Sequence, residues 1–445
     1  MAQTIQRDPE AVWSNTEKNL FRFFGIYFLL QVLPLDLRFF KHLFSFNWFD
    51  YQGIFYLARY SPSFTGDDSF INWLIIAVLA AAGTLLWDKI YKKEVNYDQL
   101  NYWVRVLVRY RLAIGVIAYG FLKFFPIQAP VPSLSNLNTD YGDFTSWKLF
   151  SLGLGVVPGY QSFLGLVEIA GGLLLLNRKT TTIGTLIILP FTGNVAFSNI
   201  AYEGGEYVYA FYLISLALYL FAFDGIRLFK LVSLEIPTAP NRFKPVFAGE
   251  WAKYRLALKS VFILFFVIFY GFKTYAGYKK GGYQFPAEKG LAGTEGLYNV
   301  SEFKWNNQSI PYSKTDSVRW QNVVFEKWNT LSIQSNKPVV PENLPTEELF
   351  KDDSSRIYEL AGSQGRHYYS YRVDSLNSGL LLQNRNKNHA GDQLTLSFNR
   401  LNDSTIVLQG VTAGKDSVYA VLNKINKKYL IYEAKKSGRR GGLTL

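Results

Sequence analysis

The chain has 445 residues, 47 of them Lys or Arg against 34 Asp or Glu, with three histidines and no cysteine. The lack of cysteine excludes disulfides, thiol catalysis and cysteine-bound zinc or iron–sulfur clusters. The net charge of +13 fits a membrane protein with basic inner loops, and because no block of five or more basic residues occurs we do not expect nucleic-acid binding.

Apolar runs dominate the chain before residue 277 and predict a bundle of α-helices that cross a lipid bilayer. Seven spans are predicted, at about 19–34, 70–87, 107–125, 160–176, 182–200, 206–223 and 257–276. The first helix is expected to act as the insertion signal, because the N-terminus carries acids and no small-residue cleavage site. The aromatic segment 39–60 is expected at the outer interface, as an amphipathic or a re-entrant piece.

Basic loops alternate with loops poor in Lys and Arg along these spans. The basic loops are 89–111, 177–181 and 227–255, whereas 126–158 contains a single lysine, Lys148. By the positive-inside rule the N-terminus is cytoplasmic and everything after the last span is outside. We therefore predict a bacterial inner-membrane protein with its C-terminal domain in the periplasm.

Beyond residue 278 the pattern changes to short alternating runs that predict β-strands. Eight runs are linked by turn signals such as Asn306-Asn307 and Gly414-Lys415, which favours a small closed barrel over a sandwich. Leu394, Leu396 and Phe398 are expected to face inward. The run GLYNV at 296–300 resembles the first strand of lipocalin-like barrels, and that resemblance implies a lipid-like or hydrophobic ligand.

The composition divides the chain into five parts. They are 1–105, an N-terminal membrane region with two spans and the interface segment; 106–230, a four-helix membrane core; 231–277, a cytoplasmic loop and the last span; 278–433, the outer β domain; and 434–445, a disordered basic tail. Within the β domain, 335–355 is predicted to be a loop because it is rich in proline and acidic residues.

An acid lies within the apolar run 160–179. Glu168 shares a helical stripe with Gln161, Gly165 and Gly172, so this face is expected to meet protein. Three interpretations stay open: hydrogen bonding between helices that only fixes packing, a ligand or proton site, and a lipid-headgroup contact. Gly165, Gly171 and Gly172 are interpreted as close-packing positions, and Arg105, Arg109 and Arg111 as topology signals that reach toward phosphates.

The predicted topology places several polar side chains at a similar outer depth, where they would share one outward cleft. The candidate ligand-binding residues are Lys123, Gln128, Asp143, Glu168, Asn194, Asn199 and Tyr202. Asp140 and Glu203 lie near them. No catalytic constellation is recognisable, so the chain is more consistent with a non-enzyme.

Four segments carry a resemblance to the DoxX family of small four-helix membrane proteins, in a long form with an outer domain. They are RYRLAIGVIAYGFLKFFPIQAPVP, YGDFTSWKLFSLGLG, YQSFLGLVEIAGGLLLLNRKTTTIG and NVAFSNIAYEGGEYVYAFYL, all within Arg109–Lys230. The seven candidate residues match polar positions that recur in that family. The chain departs from the pattern at YEGGEY, where an acid followed by lysine is expected.

The resemblance implies an accessory subunit of a membrane redox or envelope complex that binds a quinone or lipid in the outward cleft. The partners would be the lipid bilayer and other membrane or periplasmic subunits, with no haem, zinc or iron–sulfur cluster. An alternative is a scaffold or assembly factor whose β domain holds a protein partner or a lipid-like ligand. A transporter is less consistent with the chain, because no inverted repeat or broken helix pair is evident.

Overall fold

A computed structural model of the chain describes residues 13–66, 68–90, 95–238, 250–280, 284–343, 352–374 and 379–437. They fall into two compact units. The first, here called the helical unit, comprises Met1–Phe121, Gly165–Ile200 and Gly205–Thr274. The second, the barrel unit, comprises Leu122–Leu164, Ala201–Gly204 and Tyr275–Leu445. The N-terminal segment 1–12 and the loop residues 91–94 and 239–249 lie outside the described residues.

Helices occupy all seven segments predicted to be helical. Their bounds, with the shorter helices included, are α1 Asn15–Val32, α2 Leu37–Ser45, α3 Tyr51–Ala58, α4 Phe70–Ile90, α5 Tyr97–Phe124, α6 Leu134–Leu137, α7 Ser146–Val156, α8 Pro158–Leu175, α9 Thr181–Ala201, α10 Tyr207–Ser233, α11 Glu250–Ile263 and α12 Tyr270–Lys280. A π-helical segment, Leu264–Phe269, joins α11 to α12. Helix α5 begins ten residues before its predicted start, because Val104 and Val108 continue its buried face.

Among the described helices, five are long and apolar enough to cross a membrane. They are Asn15–Ser45, Phe70–Ile90, Thr181–Ala201, Tyr207–Ser233 and Lys253–Lys280. The pair α7 and α8, bent by 95°, would make a sixth if it forms one broken span. Helix α5 is not among them; Arg105, Arg109, Arg111 and Lys123 all lie along it. The predicted total of seven spans stays a prediction.

Glycines set the packing of three helices in the helical unit. A Cβ on Gly172 of α8 would lie 2.5 Å from Ile117 Cγ1 of α5, and one on Gly120 would lie 3.1 Å from the Gly165 carbonyl. A Cβ on Gly184 of α9 would lie 3.0 Å from the carbonyl of Gly171. A side chain on Gly172 does not fit, and a Cβ on Gly171 would lie 3.0 Å from Ile188 Cγ1, so the close-packing interpretation is confirmed for these two glycines, whereas Gly165 contributes its backbone carbonyl to the contact.

The C-terminal region folds into a closed antiparallel barrel, as predicted. Its strands are β1 Gly296–Trp305, β2 Gln308–Ser309, β3 Asn322–Phe325, β4 Thr330–Gln334, β5 His367–Asp374, β6 Gly379–Asn384, β7 Gln393–Arg400, β8 Thr405–Thr412 and β9 Ser417–Ile425. Sequential neighbours pair, and β1 closes the barrel on β9, with β2 a two-residue extension beside β1. Asn306, Asn307 and Lys415 adopt positive φ in the predicted turns.

Side chains fill the barrel interior. Tyr298, Phe303, Phe325 and Leu408 are at most 1% exposed and belong to one cluster with residues from every long strand. Leu394 and Leu396 point into it, as predicted, with Phe398 packed at its margin. An eight-stranded barrel is just wide enough for such a core. The volume in which a lipocalin-type ligand would lie is therefore occupied by protein.

Strand β3 is shorter than the predicted run 318–328. The Asp316 carboxylate accepts hydrogen bonds from the Val318 and Arg319 backbone N–H groups, and this turn delays the strand. The predicted loop 335–355 is irregular up to residue 343 and ends in a 3-10 turn, Asp353–Ser355, while 344–351 lie outside the described residues. The first four residues of the predicted disordered tail, 434–437, instead complete helix α13, Leu430–Ser437; 438–445 are not described.

Candidate functional sites

The seven predicted site residues are divided between the two units. Glu168, Asn194 and Asn199 belong to the helical unit. The barrel unit contains the other four, Lys123, Gln128, Asp143 and Tyr202.

Within the helical unit, Glu168 is 7% exposed and lies on the face of α8 whose glycines pack against α5. This placement agrees with the predicted stripe. Asn199 is bound within its own region: its Oδ1 accepts from the Glu206 N–H at 3.2 Å and its Nδ2 donates to the Val195 carbonyl at 2.9 Å. Asn194 is exposed. Asn199 thus stabilises the connection from α9 to α10.

The four residues of the barrel unit have different surroundings. Lys123 is buried at the end of α5, and the backbone carbonyl of Gln128 accepts from Gln284 Nε2 at 3.4 Å. The Tyr202 ring stacks on Phe150 with centroids 4.8 Å apart. Asp143 lines a pocket described below.

Sequence analysis missed a charged cluster in the helical unit. Arg59, just after α3, donates from Nη2 to both carboxylate oxygens of Glu206, at 2.6 and 2.7 Å, and to Asp68 Oδ2 at 3.1 Å. The Tyr119 hydroxyl donates to Glu206 Oε2 at 3.0 Å. Because Glu206 precedes α10 and Tyr119 lies on α5, one arginine joins three separate parts of the chain. The predicted topology placed Arg59 and Glu206 on the same side, and matching their depths is the signal that could have found the pair.

The prediction that Arg105, Arg109 and Arg111 reach toward phosphates is wrong for Arg111. Its side chain is buried near the middle of α5, donating from Nη1 to the Ala58 carbonyl at 2.6 Å, from Nη2 to the Tyr60 carbonyl, and from Nε to the Tyr212 hydroxyl at 3.3 Å. It therefore satisfies carbonyls at the C-terminal end of α3, which a helix leaves without partners, and does not reach toward phosphates. Helix α3, with Ile54 and Phe55 fully buried, is fixed inside the unit by this contact.

In the barrel unit, the segment between α5 and α8 is bonded to the barrel through a buried acid. Glu326, which follows β3, accepts from the Ser135 N–H at 2.7 Å and from Ser135 Oγ at 2.6 Å through Oε1, and from the Leu134 N–H at 3.3 Å through Oε2. These donors begin α6, so the carboxylate caps that short helix. Burial, together with the nearby charge of Glu359, raises the pKa of Glu326 to about 7.

A buried arginine makes the second link. Arg366 donates from Nε to Ser332 Oγ at 2.8 Å, and from Nη1 to Asn322 Oδ1 at 2.7 Å and to the Asn138 carbonyl at 3.2 Å. Burial lowers its pKa to about 10, where the guanidinium is still charged at neutral pH.

A third group of contacts surrounds Glu359. It accepts from Trp328 Nε1 at 3.0 Å and forms a fully buried ion pair with Arg385, whose Nη1 also donates to Thr330 Oγ1 at 3.0 Å. On the neighbouring residue, the Tyr358 carbonyl accepts from Lys148 of α7, and the Lys148 ammonium lies 3.8 Å from the centre of the Tyr358 ring. These charged side chains therefore pair with each other or with polar and aromatic groups inside the unit.

An open pocket of about 550 Å³ lies where the α5–α8 segment meets the barrel. Asp140 and Asp143 form one side, and the others come from the loop before β3, the end of β4, the loop after it and the turn before β5. The lining residues are Asp140, Asp143, Lys314, Gln321, Gln334, Ser335, Asn336, Lys337, Pro338, Val339, Gln364 and Gly365. Sequence analysis identified Asp143 but placed it in a cleft with the helix residues.

In the described parts of the chain, no group of three or more His, Asp or Glu side chains is arranged to hold a metal ion. His367 and His389 stack edge to face, 5.3 Å apart, and burial lowers the pKa of His367 to about 4.

Comparison of the chain with protein-family models, with curated proteins and with solved structures found no match. The resemblance to the DoxX family therefore rests on the four quoted segments alone and stays a prediction.

Proposed function

We propose that this chain is a non-catalytic accessory or assembly protein of the bacterial inner membrane, which carries a binding module in the periplasm. Its apolar helices would anchor it, in agreement with the DoxX resemblance, and the barrel unit would present the binding surface. One observation carries the proposal: the segment that joins α5 to α8 is built into the barrel unit by buried contacts of Glu326, Arg366 and Lys148.

These contacts favour a binding role for the barrel unit over a catalytic role. The buried charges of the unit are committed to each other and to backbone groups, and the barrel interior is a packed core. A partner would therefore bind at the surface of the unit, where the pocket at Asp143 is a concavity of about 550 Å³.

The proposed orientation is testable by labelling, because the chain has no cysteine of its own. Ser404→Cys lies in the exposed turn between β7 and β8, and Lys179→Cys lies in the exposed turn between α8 and α9. A membrane-impermeant maleimide applied to intact spheroplasts should label the first and not the second. The reverse result would place the barrel unit in the cytoplasm and end the proposal of a periplasmic module.

The accessory role is tested by native mass spectrometry of the full chain after gentle solubilisation. We expect a second protein subunit in stoichiometric amount. A chain that is released alone, with neither protein nor lipid bound under conditions that preserve its fold, would contradict the proposal.

A quinone or lipid near Glu168 is the second candidate, because the DoxX resemblance implies such a ligand and Glu168 is a buried acid on the apolar helix α8. The same preparation should then contain quinone or lipid that is lost in Glu168→Gln. The exposed Glu235→Gln, after α10, is the matched control. Equal ligand content in the two variants would reject a ligand at Glu168.

A further inference from the structure

We propose that the pocket beside Asp143 in the barrel unit binds a neutral or amine-bearing saccharide. The inference deepens the proposed function, on which it rests, by giving its binding surface a ligand class.

The pocket has the volume of a small-molecule site and the wrong lining for an apolar ligand. Its volume of about 550 Å³ lies within the usual range for ligand pockets, which are mostly apolar and aromatic. Here Pro338 and Val339 are the only apolar side chains among the lining residues, and no aromatic ring is present. A quinone or an acyl chain would bury little apolar surface in it, so a hydrophilic ligand fits better.

Several lining groups have hydrogen-bonding capacity to offer. In the described residues, the side chains of Gln321, Gln364, Asp140 and Asp143 make no hydrogen bond or ion pair to other protein groups. An amide both donates and accepts, and a carboxylate accepts on two oxygens, so together they match hydroxyl groups, which also do both. Adjacent hydroxyls of a sugar ring are the common chemical form of such a ligand.

The position of Asp143 depends on a glycine. A Cβ on Gly365 would lie 2.4 Å from Asp143 Oδ2, so any larger residue there would displace the carboxylate. The Gln364 N–H also donates to the Asp143 carbonyl at 3.0 Å. The turn before β5 therefore holds Asp143 and presents Gln364 beside it.

The charge of the pocket selects against anions. Lys337 is paired with Asp392 at 2.7 Å, which leaves two carboxylates, Asp140 and Asp143, against the ammonium of Lys314. Asp140 also lies near the buried guanidinium of Arg366, so the negative charge is concentrated at Asp143, whose charged neighbour is Asp140, and this disfavours phosphate, nucleotides and acidic sugars there. A neutral sugar is tolerated, and an amino sugar gains a charge-assisted contact with Asp143.

A peptide is the less favourable occupant. Extended peptides bind by adding to a free strand edge, and a closed barrel has none at β1 and β9, which pair with each other. Peptide anchors also need an apolar side-chain pocket, which the lining does not supply.

The test is saturation-transfer NMR on the full chain in lipid nanodiscs, because maltoside detergents would themselves present a sugar. The probes are maltotriose, chitosan trisaccharide, a galacturonic acid trisaccharide and trilysine. We expect binding of the first two, with Gln364→Ala weakening both about three- to tenfold and Asp143→Asn weakening the amine-bearing trisaccharide more than maltotriose. Gln409→Ala, on the exposed face of β8, is the matched control and should change neither.

Three results would overturn the proposal. They are no transfer to maltotriose or chitosan trisaccharide, equal binding by Gln364→Ala and Gln409→Ala, and stronger transfer to trilysine or galacturonic acid trisaccharide than to the proposed ligands. If neither sugar binds but native mass spectrometry still finds a stoichiometric subunit, only the ligand class is rejected. If neither sugar binding nor a stoichiometric subunit is found, the proposed function is rejected as well.

Discussion

The two units of this chain place buried charge differently. In the helical unit the arginines Arg59 and Arg111 join helices far apart in sequence and bind carboxylates and backbone carbonyls. In the barrel unit Glu326, Arg366 and the pair Glu359–Arg385 surround the contact between the barrel and the α5–α8 segment. Buried charged side chains thus position helices in the helical unit, and in the barrel unit they hold the α5–α8 segment on the closed barrel.

This difference shows what each architecture requires. A barrel with an apolar interior and paired edges is complete in itself, so its buried polar groups are available to hold a neighbour. Helices with short connections leave backbone groups at their ends, and a short buried helix such as α3 needs side chains to satisfy them. Four substitutions probe the contrast, two in each unit.

The largest effect is expected at the buried ion pair of the barrel unit. Arg385→Ala leaves the Glu359 carboxylate buried without its cation, which should lower the free energy of unfolding by about 3–5 kcal/mol. Urea unfolding followed by tryptophan fluorescence measures it. Arg372→Ala, an exposed arginine on β5, should change the value by less than about 0.5 kcal/mol. Equal effects would mean that the pair contributes nothing particular.

Glu326 should make the stability of the barrel unit depend on pH. Its folded-state pKa of about 7 is above the ordinary value of 4.5, so the protonated acid is favoured on folding. The contribution is complete below about pH 4.5 and is lost as pH rises through about 7, a decrease of about 3 kcal/mol. Glu326→Gln should remove this slope in unfolding measured from pH 5 to 8.

The exposed Asp403→Asn removes one carboxylate without touching the contact. If it flattens the profile as much as Glu326→Gln does, the pH dependence arises from overall charge. If the difference in stability between the native chain and Glu326→Gln instead decreases as pH falls below 7, the sign is opposite and Glu326 is bound as the ionised form.

In the helical unit, Arg111→Met should lower stability by about 2–3 kcal/mol, because the Ala58 and Tyr60 carbonyls lose their donors in a buried place. Arg227→Met removes a partly exposed arginine paired with Asp224 on α10, and should cost under about 1 kcal/mol. Unfolding in mixed detergent micelles measures both. A value for Arg111→Met as small as that for Arg227→Met would show that water or lipid replaces its contacts.

Local patterns predicted most of the fold. Alternation such as that of Leu394, Leu396 and Phe398 depends only on neighbours in sequence, so eight strands and their closure could be predicted. Apolar runs likewise predicted where helices lie. The structure after β9 was harder to predict, because helix α13 continues past Ala434 into residues whose charge suggested disorder.

Pairings between distant residues could not be predicted in the same way. Arg59 and Glu206 are 147 positions apart, and nothing local to either identifies the other. The unit boundaries show the same limit: Leu122–Leu164 was assigned to the four-helix membrane core 106–230, whereas Ser135 and Asn138 hydrogen-bond to barrel residues. Asp143 was predicted as a site residue, but its neighbours in the pocket come from the chain around β3 and β4 and from the turn before β5, which composition cannot bring together.

The smallest effect on stability is expected at Gly172, a glycine where α8 packs against α5. Gly172→Ala places a methyl group 2.5 Å from Ile117 Cγ1 at the contact between α8 and α5, and should lower stability by about 1–2 kcal/mol. Gly193→Ala is the matched control, because no atom lies within 4 Å of its added Cβ, and it should be neutral within about 0.5 kcal/mol. The same unfolding assay in micelles measures both. Because Glu168 lies one helical turn from Gly172, a displaced α8 would also move that acid; quinone or lipid content that falls in Gly172→Ala but not in Gly193→Ala would connect the packing of this face to the proposed cleft.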